Sequence, residues 1–404
     1  MSMQDLLLYL QAEVLLLVLA LAVLAFWAGI WALHLLGIVY SKFKFYRRKA
    51  SNSSPETPLP GVSILKPLVG VDPNLFINLE SYFTLKYPMY EILFCVHTEE
   101  DPALLLVQTL IKKYPNVDAT ICCGGENVGV NPKINNLMPG YRKSKYGVIM
   151  ISDSGMRMRE DTLTDMVGAL TENVGVVTQM PFTCDRQGFA ATVEKVYFGT
   201  SHCRLYMSAD LVGIVCSTGM SSLIRKSELE AVGGLQAFGL YLAEDYFIAQ
   251  ALVARGWRCA VAAQPGWQNS GYCELGKFHD RLCRWAKLRI AMLPHTIVLE
   301  PLQDCMLLGV LASWAANLLF DWNSLVFFLV HVLIWMLLDY VILYIVQGGS
   351  LPFGKFEYVV SWMYRELSAL PTFIRALLNS RIEWRTGSYR LRWGGVVEQL
   401  PINQ

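Results

Sequence analysis

The sequence predicts an α/β domain built on a mostly parallel sheet, tethered to a membrane by a helix before it and by hydrophobic helices after it. Three observations carry that prediction. The 404-residue chain is 54% hydrophobic and only 17% charged, against about 25% charged in soluble domains, and its mean hydropathy is +0.36. Residues 59–293 hold no apolar run of spanning length and alternate strand-like with helix-like stretches, the pattern of a parallel sheet covered on both faces. Long apolar segments flank that region on either side. A formal net charge of +1 gives nucleic acid no electrostatic footing as a partner.

Residues 14–40 run without a formal charge, longer than the roughly 20 apolar residues that cross a bilayer. The start is acidic (Asp5, Glu13), and the basic cluster Lys42, Lys44, Arg47, Arg48 and Lys49 comes after the run. A cleaved leader has a basic start and a shorter core. Residues 1–41 therefore read as a lumenal N-terminus and signal anchor, and the positive-inside rule puts the chain from Lys42 onward in the cytosol. Residues 42–58 read as a basic juxtamembrane linker.

Within the cytosolic domain, 59–293, the strand-like runs are 61–65, 91–97, 117–123, 148–152, 175–180 and 258–262. Helix-like stretches are 74–85, 102–113, 161–172, 187–207 and 245–254. Ten cysteines are scattered without any CxxC pair, which fits reduced cytosolic thiols better than a disulfide scaffold.

Residues 294–380 are expected to be C-terminal membrane helices, with apolar segments at 305–320, 324–346 and 356–378. The first is short for a span and reads as a tilted helix or the start of a re-entrant pair. The third carries Arg365, Glu366 and Pro371, which a lipid-facing helix does not tolerate. An amphipathic or re-entrant segment there keeps the basic tail, 381–404, on the cytosolic side.

In such sheets ligands bind beyond the carboxyl ends of the strands. Asp101 follows the second strand-like run, Asp153 directly follows the fourth, and Glu244-Asp245 opens a helix after Gly233-Gly234. Aspartate at a helix start is also an ordinary cap. Asp153 ends an uncharged strand, a place suited to a divalent ion bridging a diphosphate. Arg281-Leu282-Cys283-Arg284-Trp285 reads either as a basic membrane-facing helix or as an arginine meeting phosphate beside a tryptophan-walled acceptor pocket.

The order Asp101, Asp153, Glu244-Asp245, Arg281-x-x-Arg284-Trp285 resembles the D, D, D, (Q/R)xxRW pattern of family-2-like inverting glycosyltransferases. Longer blocks look like the ceramide glucosyltransferase family. They begin at Leu59-Pro60-Gly61-Val62-Ser63-Ile64-Leu65-Lys66-Pro67-Leu68 and Asn131-Pro132-Lys133-Ile134-Asn135-Asn136. They continue through Asp185-Arg186-Gln187-Gly188-Phe189, Tyr197-Phe198-Gly199-Thr200-Ser201-His202 and Trp384-Arg385-Thr386-Gly387. The resemblance implies a GT-A-type domain that transfers glucose from UDP-glucose to the primary hydroxyl of ceramide, with inversion. It implies a Golgi membrane protein whose catalytic domain faces the cytosol, and Mg²⁺ or Mn²⁺ as cofactor.

By motif, Asp245 is the expected general base, while Asp101 and Asp153 hold the nucleotide sugar, Asp153 through the metal. Arg281, Arg284 and Trp285 face diphosphate and acceptor, and His202 lines the pocket near the nucleotide or is a structural histidine. Lys66, Lys133 and Asn136 bind uracil, ribose or phosphate, or cap turns beside Pro67 and Pro132. Cys203 stands where the pattern has proline, and Thr98-Glu99-Glu100 replaces an Asp-rich run, leaving Glu100 as a rival to Asp101.

Ceramide leaves a bilayer at about 0.8 kcal/mol per buried CH₂, so the acceptor pocket should open toward the membrane. The 281–289 helix is expected at that mouth, with Lys287 and Arg289 at lipid headgroups. Trp384, Arg385 and Tyr389 are expected to cover the site. A processive polysaccharide synthase would need more spans. The reading from another class is a non-catalytic nucleotide-sugar- or lipid-binding membrane scaffold.

Overall fold

The computed structural model describes residues 3–46, 59–384 and 387–400. Arg47, Arg48, Lys49, most of the expected linker and Arg385 lie outside the described residues. Helix α1 (Met3–Tyr46) carries the anchor and continues through Lys42 and Lys44. The domain then runs β1 (Val62–Leu68), α2 (Leu75–Phe83), β2 (Tyr90–Val96), α3 (Ala103–Lys113), β3 (Ala119–Cys123), α4 (Pro132–Lys143), β4 (Val148–Ser152) and β5 (Met156–Arg157). It continues with α5 (Thr162–Gly168), β6 (Val174–Thr178), β7 (Pro181–Thr183), α6 (Phe189–Tyr197), α7 (Cys203–Val212), β8 (Ser221–Arg225) and α8 (Lys226–Ala231). Last come α9 (Glu244–Val253), β9 (Arg258–Val261), β10 (Gly266–Gln268) and α10 (Leu275–Met292).

Seven strands form one sheet in the order β3-β2-β1-β4-β8-β6-β9, parallel except where β8 pairs antiparallel with β4 and β6. β1 is buried along its whole length, as a central strand covered on both faces must be. One core packs α2, α3 and α5 on one face, and a second packs α4, α8 and α9 on the other. All six strand-like runs of the sequence are strands. β8 is not legible beforehand because Ser221 and Ser222 break its apolar pattern, yet its first four residues are buried.

Helix α4 is absent from the sequence expectation because it contains Pro132, Pro139 and Gly140. Local chemistry explains its formation. Asn131 caps it, its Oδ1 accepting from the amides of Lys133 at 2.8 Å and Ile134 at 3.3 Å, and Pro132 occupies the first turn, where a missing N–H costs nothing. Pro139 frees the carbonyl of Asn135 four residues earlier, and the amide of Glu126 donates to that oxygen at 2.8 Å. The expected single helix 187–207 is broken instead. A π-helical turn, Phe198–His202, separates α6 from α7 and turns His202 into an aromatic cluster. Such insertions favour functional positions.

Beyond the domain lie α11 (Thr296–Leu302), α12 (Cys305–Phe320), α13 (Ser324–Gln347) and α14 (Lys355–Leu378). α1 and α13 are each long and apolar enough to cross a membrane, and α11 with α12, bent by 81°, makes a third candidate if the pair counts as one span. α14 does not join them. It packs on α6 and α10 with Arg365 and Glu366 buried, so the third hydrophobic segment lies against the domain.

The tail forms a small antiparallel sheet of β11 (Arg381–Trp384), β12 (Gly387–Leu391) and β13 (Val397–Gln399). Ile382, Tyr389, Leu391 and Val397 share a core with Leu242, Leu288 and Ala291. Val397 N–H also donates to Leu240 O at 3.2 Å. The tail thus packs directly against the domain. Another core joins α6, the π-turn and α7 to α13 and α14, which fixes the domain rigidly above the hydrophobic helices.

Candidate active site

The carboxyl end of β4, the amino end of the antiparallel β8 and the start of α9 meet at one point. Asp153 follows β4 without a break, and its amide donates to Met220 O at 3.0 Å. Lys133, in the first turn of α4, donates to Gly219 O at 2.6 Å. The same Nζ lies 2.9 Å from Asp153 Oδ1 and 2.9 Å from Glu244 Oε1. Glu244 Oε2 accepts from Asn131 Nδ2 at 3.0 Å. Gly219 has no side chain to intrude: a Cβ there would lie 2.9 Å from Lys133 Nζ and 3.7 Å from Asp245 Cβ.

Asp245 is half-buried beside this cluster. Desolvation and then the charge of Glu244 push its pKa up to about 7, against the pull of Lys133. Burial works against the Lys133 ammonium, but Asp153 and then Glu244 hold its pKa above the ordinary lysine value. One carboxylate is thereby poised near neutrality while its neighbours stay paired, the separation of roles that general-base chemistry requires.

Lys66 is fully buried, so it supports the site from beneath instead of contacting a substrate surface. Its Nζ donates to the backbone carbonyl of Asp153 at 2.5 Å and lies 3.8 Å from the Tyr82 ring centroid. Burial drives its pKa well below the usual value, and its amine fixes the Asp153 main chain. Asn136 is likewise buried and donates to Leu68 O at 3.1 Å and Cys95 O at 3.0 Å, tying β1 to β2.

Asp101 is not in the cluster. Its carboxylate accepts from the amides of Gly70 at 2.9 Å and Ala103 at 2.9 Å, fastening the loop after β1 to the start of α3. Its present partners are those of a loop brace and helix cap. Glu100 is exposed.

The second group is on α10. Trp285 stacks on His202, centroids 6.0 Å apart and 20° between planes, and borders the same small core as Ala243, the residue before Glu244. Tyr197, Phe198 and Tyr206 complete the surround of His202. Burial, then Arg289 and Arg281, lower the His202 pKa to about 3, so the ring is neutral. Arg281 is occupied, with its Nη2 2.5 Å from Glu194 Oε1. Arg284 is half-buried, and burial, then Arg281, lower its pKa. No carboxylate pairs with it among the described residues. Arg284 is the unpaired cation of the motif.

Two expectations for this helix are corrected. Arg289 does not face lipid headgroups: its Nε lies 2.9 Å from Glu300 Oε2 and its Nη2 2.5 Å from Oε1, a two-pronged ion pair inside the protein. Lys287 donates to Arg381 O at 2.7 Å, holding the tail sheet. Sequence reading assigned no role to Glu244, Asn131, Gly219 or Glu194. Only Asn131, a cap residue directly before a proline, carried a usable signal.

Comparison with known proteins matches residues 29–397 to glycosyl transferase family 21. The chain belongs to that family. It is a glycosyltransferase, and its mostly parallel central sheet agrees with the GT-A-type domain expected from the motifs. Among similar proteins is ceramide glucosyltransferase 3 of Caenorhabditis elegans, 45% identical over 91% of this chain and 80% of that protein. Ceramide glucosyltransferase 1 of the same organism is 43% identical over 96% and 82%. A ceramide glucosyltransferase of Komagataella phaffii is 30% identical over 94% and 92%. The family assignment makes the two groups, Asp153–Lys133–Glu244–Asp245 and His202–Arg284–Trp285, the candidate catalytic centre of a transferase.

Proposed function

We propose that this glycosyltransferase moves glucose from UDP-glucose to the primary hydroxyl of ceramide with inversion, releasing β-glucosylceramide and UDP. The observation that carries the chemistry is Asp245, a half-buried carboxylate poised near neutrality beside the Lys133–Asp153 pair. The choice of donor and acceptor is supported by similarity to proteins named ceramide glucosyltransferase along more than nine-tenths of the chain. The proposed setting is a Golgi membrane with the domain in the cytosol. The basic residues Lys42 and Lys44, at the domain end of α1, favour that orientation.

In this reading Asp245 accepts the proton of the acceptor hydroxyl as that oxygen attacks the anomeric carbon. One base suffices, because the nucleophile arrives opposite the leaving diphosphate. Arg284 meets the charge that grows on UDP, and His202 with Trp285 forms a neutral wall for the acceptor.

Among the described residues no hydrogen bond reaches Asp153 Oδ2, and the carboxylate is 38% exposed, so Asp153 fits one protein ligand of a divalent ion. Nor does any group of three or more His, Cys, Asp or Glu among those residues suffice to hold an ion alone. Asp153 would hold Mg²⁺ or Mn²⁺, which would supply charge stabilisation to the leaving diphosphate.

The test is transfer by the purified protein in detergent, with the product linkage read by NMR. β-Glucosylceramide formed from UDP-glucose, and lost on EDTA treatment until Mn²⁺ or Mg²⁺ is returned, is expected. An α-linked product contradicts the inversion, and full activity in EDTA contradicts the ion. The pH profile gives an independent reading. Only ionised Asp245 can take a proton, so kcat/KM, which reports the free enzyme, should rise with pH through about 7. A flat profile across neutrality removes Asp245 from that role.

A further inference from the structure

Glu194, on α6, is almost fully buried, and three groups from other segments converge on it. Arg186, in the loop before α6, pairs with Oε2 through its Nη2. Cys273, before α10, places its Sγ 3.3 Å from the same oxygen. Arg281 takes the other oxygen at 2.5 Å. Its guanidinium is caged by Phe198, Phe278 and Trp285, 5.3, 5.6 and 5.1 Å from the ring centroids. The opposite neighbour of the Trp285 ring is His202. A line of direct contacts thus runs from Glu194 through Arg281 and Trp285 to His202. Arg281 also stands one helical turn before Arg284, a like charge at a spacing where repulsion is felt.

We propose that Glu194 is a positioning residue for the acceptor side of the site: by fixing Arg281 within its aromatic cage it sets the Trp285–His202 wall. This role rests on the proposed function, since the acceptor wall is part of that reading. A carboxylate serving only to fill the core would influence folding and donor binding alike. A positioning carboxylate acts on the acceptor selectively, and does so through Arg281.

The experiment compares the full-length protein with Glu194→Gln, Arg281→Gln and the double variant in detergent micelles. It measures the KM for a short-chain ceramide, the KM for UDP-glucose, the Kd for UDP and the melting temperature. Glu194→Gln should raise the acceptor KM by about tenfold, the size of coupling that contacting charged residues show. Its UDP Kd should stay within about twofold of the parent, as for a residue with no donor contact. Both substitutions break the same Glu194–Arg281 contact, so the double variant should raise the acceptor KM no further than Glu194→Gln alone, to within about threefold.

A parental acceptor KM in Glu194→Gln overturns the role, and so does a double variant that melts normally but whose acceptor KM rises by the product of the two single effects. If Glu194→Gln does not fold, Glu194→Asp takes its place. It keeps the charge but falls one methylene short of Arg281, and an unchanged acceptor KM there overturns the role equally. A parent protein that transfers nothing to ceramide sinks the functional reading itself, a result distinct from an active parent whose Glu194 variants behave normally.

Discussion

Asp245→Asn is expected to lower kcat by about 10²–10⁴-fold, the usual worth of a positioned general base, while leaving UDP binding intact. The amide keeps the size and most contacts of the carboxylate but cannot accept the proton of an attacking alcohol. The substitution also removes a charge that sits against Glu244 in a desolvated place, the two causes that raise the Asp245 pKa. The variant should therefore melt at or above the temperature of the parent. Loss of turnover with retained stability identifies a functional carboxylate. Loss of both would show that Asp245 holds the fold together instead.

The second large effect is expected at Lys133. Its ammonium touches Gly219 O, Asp153 and Glu244, and Glu244 is almost fully buried. Among the described residues, Lys133→Met leaves that carboxylate with Asn131 alone as a side-chain partner. Breaking one side of a buried pair costs about 3–5 kcal/mol. The lower end applies here, because Asp153 is 38% exposed and partly screened by solvent. Thermal or denaturant unfolding in detergent measures the loss. Losing the cation also removes the positive charge that lowers the Asp245 pKa, so the ascending limb of kcat/KM should move to higher pH. Unchanged stability together with an unmoved limb would show that the contacts of Lys133 are incidental.

The sheet was legible because its strands are short, apolar and separated by helical stretches, and burial on both faces leaves few alternatives for such runs. What escaped depended on partners distant in sequence. α4 forms because Asn131 caps it and Glu126 takes up the carbonyl released by Pro139, neither of which local propensity records. The amphipathic third segment was legible from Arg365 and Glu366; Arg365 pairs with Glu366 beside it and with buried Asp339 from α13.

At the site, the positions of Asp153 and Asp245 followed from strand ends and motif spacing. The charge state of the cluster did not, because it depends on Lys133 arriving from α4. The basic motif divides in a way that spacing alone could not foresee. Arg281 is committed to Glu194, whereas Arg284 remains available for an anion. Asp101 had the right place after β2, but the amides of Gly70 and Ala103 engage it.

The measurement that bears most directly on the account is UDP release from UDP-glucose by the purified protein, followed together with glycolipid formation, with and without ceramide. The account predicts UDP release that depends on ceramide, matches glycolipid mole for mole and disappears in Asp245→Asn. UDP binding with no release under any condition would contradict it, and would leave a nucleotide-sugar-binding membrane scaffold on a transferase fold.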